Sequence, residues 1–166
     1  ITGITKGEDL DPGPATYTLP TFGGFSDLFI TKLNSDGNFV WAKRMGGTDF
    51  DYSYSISIDP AGSGDVYTTG HFEGTADFDP GAGTFNLTPA GQYEIFISKL
   101  DSSGNFVWAK SMGGTGWETA YSVALDTDAN VLLSGYFQGT VDFDPDAGIS
   151  QLTASSAVSS YILKLD

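Results

Sequence analysis

The chain has 166 residues, enough for a compact domain that buries about two-thirds of its unfolded surface, and its 40% hydrophobic and 14% aromatic content is that of a folded protein. A net charge of −14 with only 7 lysines and arginines excludes nucleic acid and anionic membrane surfaces as partners, since both need a basic footprint. The absence of cysteine removes disulfides, thiolate metal sites and cysteine nucleophiles together, and no apolar run reaches the length of a membrane helix.

Residues 1–26 contain neither a starting methionine nor the regions of a signal peptide, and read as the C-terminal part of a repeat in a processed or excerpted chain. The anchors are Asp9, Asp11, Pro12 and Gly13, which return later as Asp77, Asp79, Pro80 and Gly81. A complete repeat over 27–93 follows. Residues 28–33 and 39–45 are β-branched and aromatic runs, and Asp36-Gly37 between them supplies the dihedrals of a tight hairpin turn. Alternation puts Phe39, Trp41 and Met45 on one face and Val40 and Ala42 on the other, so both faces are expected to be covered. Gly46-Gly47 reads as a bend between strands. Two further strands are expected over 54–59 and 66–72, with His71 a strand residue near the surface. Residues 74–93 then carry a small hairpin of their own, with 76–78 and 85–87 as strands.

A second complete repeat occupies 94–158. Trp108 follows Trp41 by 67 positions, and Phe106, Lys99 and Gly113 keep the same interval from Phe39, Lys32 and Gly46. The interval falls to 65 where the turn PAGSGD shortens to TDAN, a change that a surface hairpin tolerates. Residues 159–166 open a third copy. The expected fold is all-β: antiparallel, four-stranded, blade-like repeats of the β-propeller type, about 2.5 of them with a period of 65–67.

The order Lys-Leu, Asn/Asp-Ser-x-Gly, Phe-Val-Trp-Ala-Lys, Met-Gly-Gly-Thr, Tyr-Ser-x-x-x-Asp resembles the seven-bladed (SBBP) β-propeller repeat, over nearly the whole chain. That resemblance implies a secreted or surface-attached bacterial protein with a non-catalytic propeller. The inserted hairpin at 74–93 departs from the family pattern.

Three Asp-x-Asp-Pro motifs, Asp9/Asp11, Asp77/Asp79 and Asp142/Asp144, place paired carboxylates on one strand face and are candidate Ca²⁺ ligands. The competing reading is that the acids cap their own Asp-Pro turns. Asn34–Asn38 and Asp126–Asn130 resemble the first half of a calcium loop but lack its closing glutamate, which favours hairpin turns. Trp41 and Trp108 repeat as packing residues do, whereas Trp117 in a loop is the candidate ligand contact. Asn86 heads an Asn-Leu-Thr glycosylation sequon. No catalytic residue is expected, because no triad, nucleophile elbow or phosphate loop surrounds the available serines, glycines and His71.

With the bacterial surface location that the resemblance implies, the expected role is a non-catalytic, extracellular structural or interaction module. The expected partners are copies of itself or neighbouring repeats through edge strands, with head-to-tail filaments as one outcome. Glycan or calcium binding is the alternative, and an enzyme the least supported.

Overall fold

The computed structural model describes residues 1–20 and 25–166; positions 21–24 of the first partial repeat lie outside the described residues. Fourteen strands form among these, all pairing antiparallel, with no helix. They are β1 (Thr2–Thr5), β2 (Asp27–Leu33), β3 (Phe39–Gly47), β4 (Asp51–Ile58), β5 (Val66–Phe72), β6 (Ala76–Asp77), β7 (Asn86–Leu87) and β8 (Glu94–Leu100). Then follow β9 (Phe106–Gly114), β10 (Thr119–Leu125), β11 (Val131–Phe137), β12 (Thr140–Asp142), β13 (Gln151–Thr153) and β14 (Ser159–Leu165).

The hairpins are fixed locally. Asn34 Oδ1 accepts the backbone N–H of Asp36 and Asn38, and Gly37 turns the chain at φ +83. Asp101 does the same for Ser103 and Asn105, and Asp126 for Asp128 and Asn130. The calcium-loop look-alikes are therefore turns whose carboxamide or carboxylate is already occupied by backbone donors.

Three sheets result, in the orders β1-β2-β3-β6-β7, β13-β12-β9-β8-β5-β4 and β10-β11-β14. The sequence period and the sheet are out of phase. Residues 27–93 contribute β2 and β3 to the first sheet but β4 and β5 to the second, which continues into β8, β9, β12 and β13 from the next copy. The chain crosses between sheets just after the double glycines.

Those glycines are strand residues, which corrects their reading as bends. Gly46 and Gly47 pair with Asp77 and Ala76 of β6, and Gly113 and Gly114 with Asp142 and Val141 of β12. A side chain at Gly47 would put its Cβ 2.3 Å from the Thr75 carbonyl oxygen, so only glycine admits the pairing. The inserted hairpin is thus a strap. It leaves the chain between β5 and β8 of one sheet, yet hydrogen-bonds to the outer strand of the preceding one. Its Phe85 also meets Phe106 of its own sheet at 4.8 Å between ring centres.

Two cores lie between the three sheets. The first joins Leu28, Ile30 and Met45 to Val66, Phe96 and Ala109; the second joins Ile95, Ile97 and Met112 to Val123, Leu133 and Tyr161. Alternation explains the split, since Phe96 faces one core while Ile95 and Ile97 face the other. Each strap drives a phenylalanine into its core. Phe78 contacts Phe72 at 5.4 Å and Phe96 at 5.0 Å, and Phe143 repeats this with Phe137 at 5.3 Å and Tyr161 at 4.8 Å. Trp41 and Trp108 pack against the two cores in turn. Val40 is exposed while its same-face neighbour Ala42 is buried, so the far face of β3 is covered only in its second half.

Candidate functional site

The structure gives the aspartates chosen from the sequence a local task. Asp77 Oδ1 accepts the N–H of Asp79 (3.0 Å) and of Phe85 (2.8 Å), and Asp79 Oδ1 accepts that of Gly81 (2.8 Å). Asp9 and Asp11 repeat this with Asp11, Tyr17 and Gly13, and Asp142 and Asp144 with Asp144, Ser150 and Asp146. Among the described residues no three acidic or histidine side chains gather as a metal cluster. Asn86 lies exposed on β7 of the strap. Trp117 is 44% exposed, and its indole N–H donates to Gln92 Oε1.

Trp117 is one end of a larger feature that the sequence reading missed, a belt of aromatic rings across the second and third sheets. Phe25 stacks on Phe50 at 4.6 Å, and Phe50 leads to Tyr52 and Tyr54 at 6.0 and 6.3 Å. Tyr54 meets Tyr121 of the next sheet at 5.2 Å, and Tyr121 meets Tyr136 at 5.7 Å. Behind them His71 touches Tyr52 and Tyr54, then Tyr93 at 4.8 Å, which carries the series to Trp117 at 5.4 Å.

The two most outward tyrosines owe their position to a repeated backbone irregularity. On β4 the register jumps between Ser53 and Ser55, and on β10 between Ala120 and Ser122, leaving Tyr54 and Tyr121 as the bulged residues. A bulge re-aims the side chain it carries. Opposite each stands a glycine, Gly70 or Gly135, where a Cβ would lie 1.8 or 1.9 Å from the carbonyl oxygen of Tyr52 or Thr119. Tyr54 and Tyr121 are accordingly 43% and 53% exposed.

His71 is not near the surface as expected. It is only 9% exposed beneath the tyrosines, with Thr119 Oγ1 at 3.3 Å from its Nδ1, and burial lowers its pKa to about 4. It is therefore a neutral ring at pH 7. The Tyr54 phenol is pushed up to about 12, by burial first and then by the neighbouring Tyr121, Tyr52, Tyr136 and Tyr93. Glu73 borders the belt beside Tyr93, and its carboxyl is raised by burial and by the charge of Asp49 while a hydrogen bond from Tyr93 lowers it.

Two acid pairs sit under the double glycines. Asp51 is fully buried; its Oδ2 accepts the Gly47 N–H at 2.7 Å, and burial, together with the nearby Asp27, raises it to about 7. Arg44 approaches Asp27 at 3.5 Å. In the next copy Glu94 and Glu118 take these places, Glu118 is again raised to about 7 by burial, and Ser111 stands where Arg44 did. Asp51, Glu94 and Glu118 hold backbone N–H groups beside the sheet crossing, and Asp27 lies against Arg44. None of them lines the hollow of about 740 Å³ between Tyr67, Trp108, Val131 and Leu163 beside β14.

No family model matches the chain. It is 27% identical over 165 residues to an uncharacterized WD repeat-containing protein of Acanthamoeba polyphaga mimivirus, covering 84% of this chain and 12% of that protein. It is 23% identical over 129 residues to the regulatory protein FlaEY of Caulobacter vibrioides, covering 75% of this chain and 13% of that protein. The chain thus spans about an eighth of the length of these curated relatives. The similarity to a WD repeat-containing protein agrees with the repeated all-β architecture.

Proposed function

We propose that the chain is a non-catalytic protein-interaction stretch of β-propeller-type repeats, of the SBBP kind, displayed outside a bacterial cell. The aromatic belt carries this reading. Exposed tyrosines on strands, with a tryptophan in the loop beside them, offer large contact area at low entropic cost, the composition that energetic centres of protein interfaces favour. The WD repeat relative supports an interaction role, and the regulatory protein FlaEY a regulatory one.

The test is a photo-crosslinking residue placed at Tyr121 on the belt, with Ile162 on β14, 84% exposed, as the control position. A protein adduct formed from position 121 and not from 162 supports the reading. Adducts between copies of the chain from position 162 would instead mark assembly through the β14 edge. Absence of protein adducts at 121 sinks the proposal. Trp117, held by Gln92 and open to solvent, favours glycan as the second reading, and loss of glycan-array binding on Trp117→Ala would identify it.

A further inference from the structure

We propose that the belt receives an arginine-bearing segment of a partner protein, whose guanidinium groups lie over the tyrosine rings at the bulges and reach the acidic rim at Glu73. This deepens the interaction reading above and rests on it. Charge complementarity is the first support. The chain carries −14, and five of its seven cations have partners away from the belt: Lys32 on the Ser102 carbonyl, Arg44 with Asp27, Lys99 with Asp65, Lys110 with Asp146 and Lys164 with Asp126. Lys6 follows β1 beside Glu8, and Lys43 extends toward Gly104 on the far side of β3. The rings therefore face solvent with carboxylates and phenols around them and no cation of their own.

Ring chemistry is the second support. Tyr54 and Tyr121 meet at 60° and Tyr121 and Tyr136 at 42°, so the rings at the seam between the sheets form tilted walls, while Tyr52 lies within 14° of Tyr54 along β4. Tilted walls let a planar cation lie over more than one ring face, where the quadrupole is negative, whereas a pyranose asks for a coplanar floor. Arginine fits better than lysine because its guanidinium is planar, weakly hydrated, stacks on rings and forks onto a carboxylate. The negative field of the whole chain would draw such a segment in.

The experiment titrates the intact chain with three peptides of equal length and otherwise uncharged sequence carrying arginine, lysine or glutamate at the same spacing, read by tryptophan fluorescence and calorimetry at physiological salt. The arginine peptide is expected to bind, and to bind more tightly than the lysine one. Tyr54→Ala and Tyr121→Ala should each weaken it by about threefold to thirtyfold, the range for a cation over one ring, while Tyr54→Phe keeps the ring and most of the affinity. Thermal melts of each variant show that the fold persists, and Glu73→Gln provides a change that removes the rim charge without touching a ring. Equal affinity for the arginine and lysine peptides, indifferent to both tyrosines, would reduce the effect to bulk charge and overturn the proposal. So would absence of binding. Crosslinking at Tyr121 without arginine-peptide binding rejects this inference and leaves the interaction reading standing; absence of both rejects the two together.

Discussion

Buried titratable side chains give this protein opposing responses to pH. Asp51 and Glu118 have folded values near 7, above their unfolded ones, so they bind more protons when folded and their contribution falls as pH rises from about 4 to 7. His71, lowered to about 4, works the other way, and its contribution is lost as pH falls from about 6.5 toward 4. Asp51→Asn keeps an oxygen for the Gly47 N–H and removes the buried charge. We expect its melting temperature to exceed that of the parent at pH 8, by an amount worth on the order of 1 kcal/mol or more, and to converge with it near pH 4. A parent profile that is flat from pH 5 to 8 would contradict the buried-acid account. The glycines divide equally sharply. Gly70→Ala forces a Cβ into the Tyr52 carbonyl and should cost about 3 kcal/mol or prevent folding, whereas Gly37→Ala meets open space and should cost about 1 kcal/mol through its positive φ alone. Urea titrations of the two variants measure the difference. Neither Gly70 nor the burial of His71 was legible in the sequence, because both depend on a bulge whose register is set by the partner strand.

At the scale of the element, the strap is the most informative piece. Its turn is held by Asp77 Oδ1, which takes two backbone N–H groups, so Asp77→Ala should destabilise by about 1 to 3 kcal/mol and Asp77→Asn by much less. Calcium should leave the melting temperature of the parent unchanged if capping is the whole role of these carboxylates, and a rise on adding Ca²⁺ that EDTA reverses would restore the metal reading. Removing the plug below it, Phe78→Ala, should cost about 3 to 5 kcal/mol, since the ring is fully buried between Phe72 and Phe96. The small hairpin itself could be read from Asp-Phe-Asp-Pro and the glycines after it, because turn chemistry is local. Its partner could not. Nothing in residues 76–87 names β3, some thirty positions earlier, and the one clue was the pair Gly46-Gly47, whose missing side chains mark a close approach as readily as a bend.

For the molecule as a whole, repetition made the architecture legible and concealed its phase. The equal spacing of Trp41 and Trp108 identified the period, but a period has no preferred starting point, and the sheets begin near Asp51 rather than near Asp27. The belt escaped notice for a related reason. Tyr54, His71, Tyr93 and Tyr121 are scattered along two sequence repeats and meet only once the inner strands of neighbouring sheets lie side by side. With so large an excess of negative charge, raising NaCl from about 0.01 to 0.15 M should increase the melting temperature of the chain by screening its self-repulsion. Differential scanning calorimetry would show this, and a melt indifferent to salt would mean that the acids are already neutralised locally.

Because the strap that leaves each sheet fastens onto the outer strand of the sheet before, the arrangement has a direction. Tandem duplication can lengthen it without loss only in steps of one full period, since any other step would strand a β6-type hairpin away from its Gly-Gly seat or split a sheet between strangers. Length in such proteins should therefore change by whole modules, and the double glycine should accompany every module that has a successor.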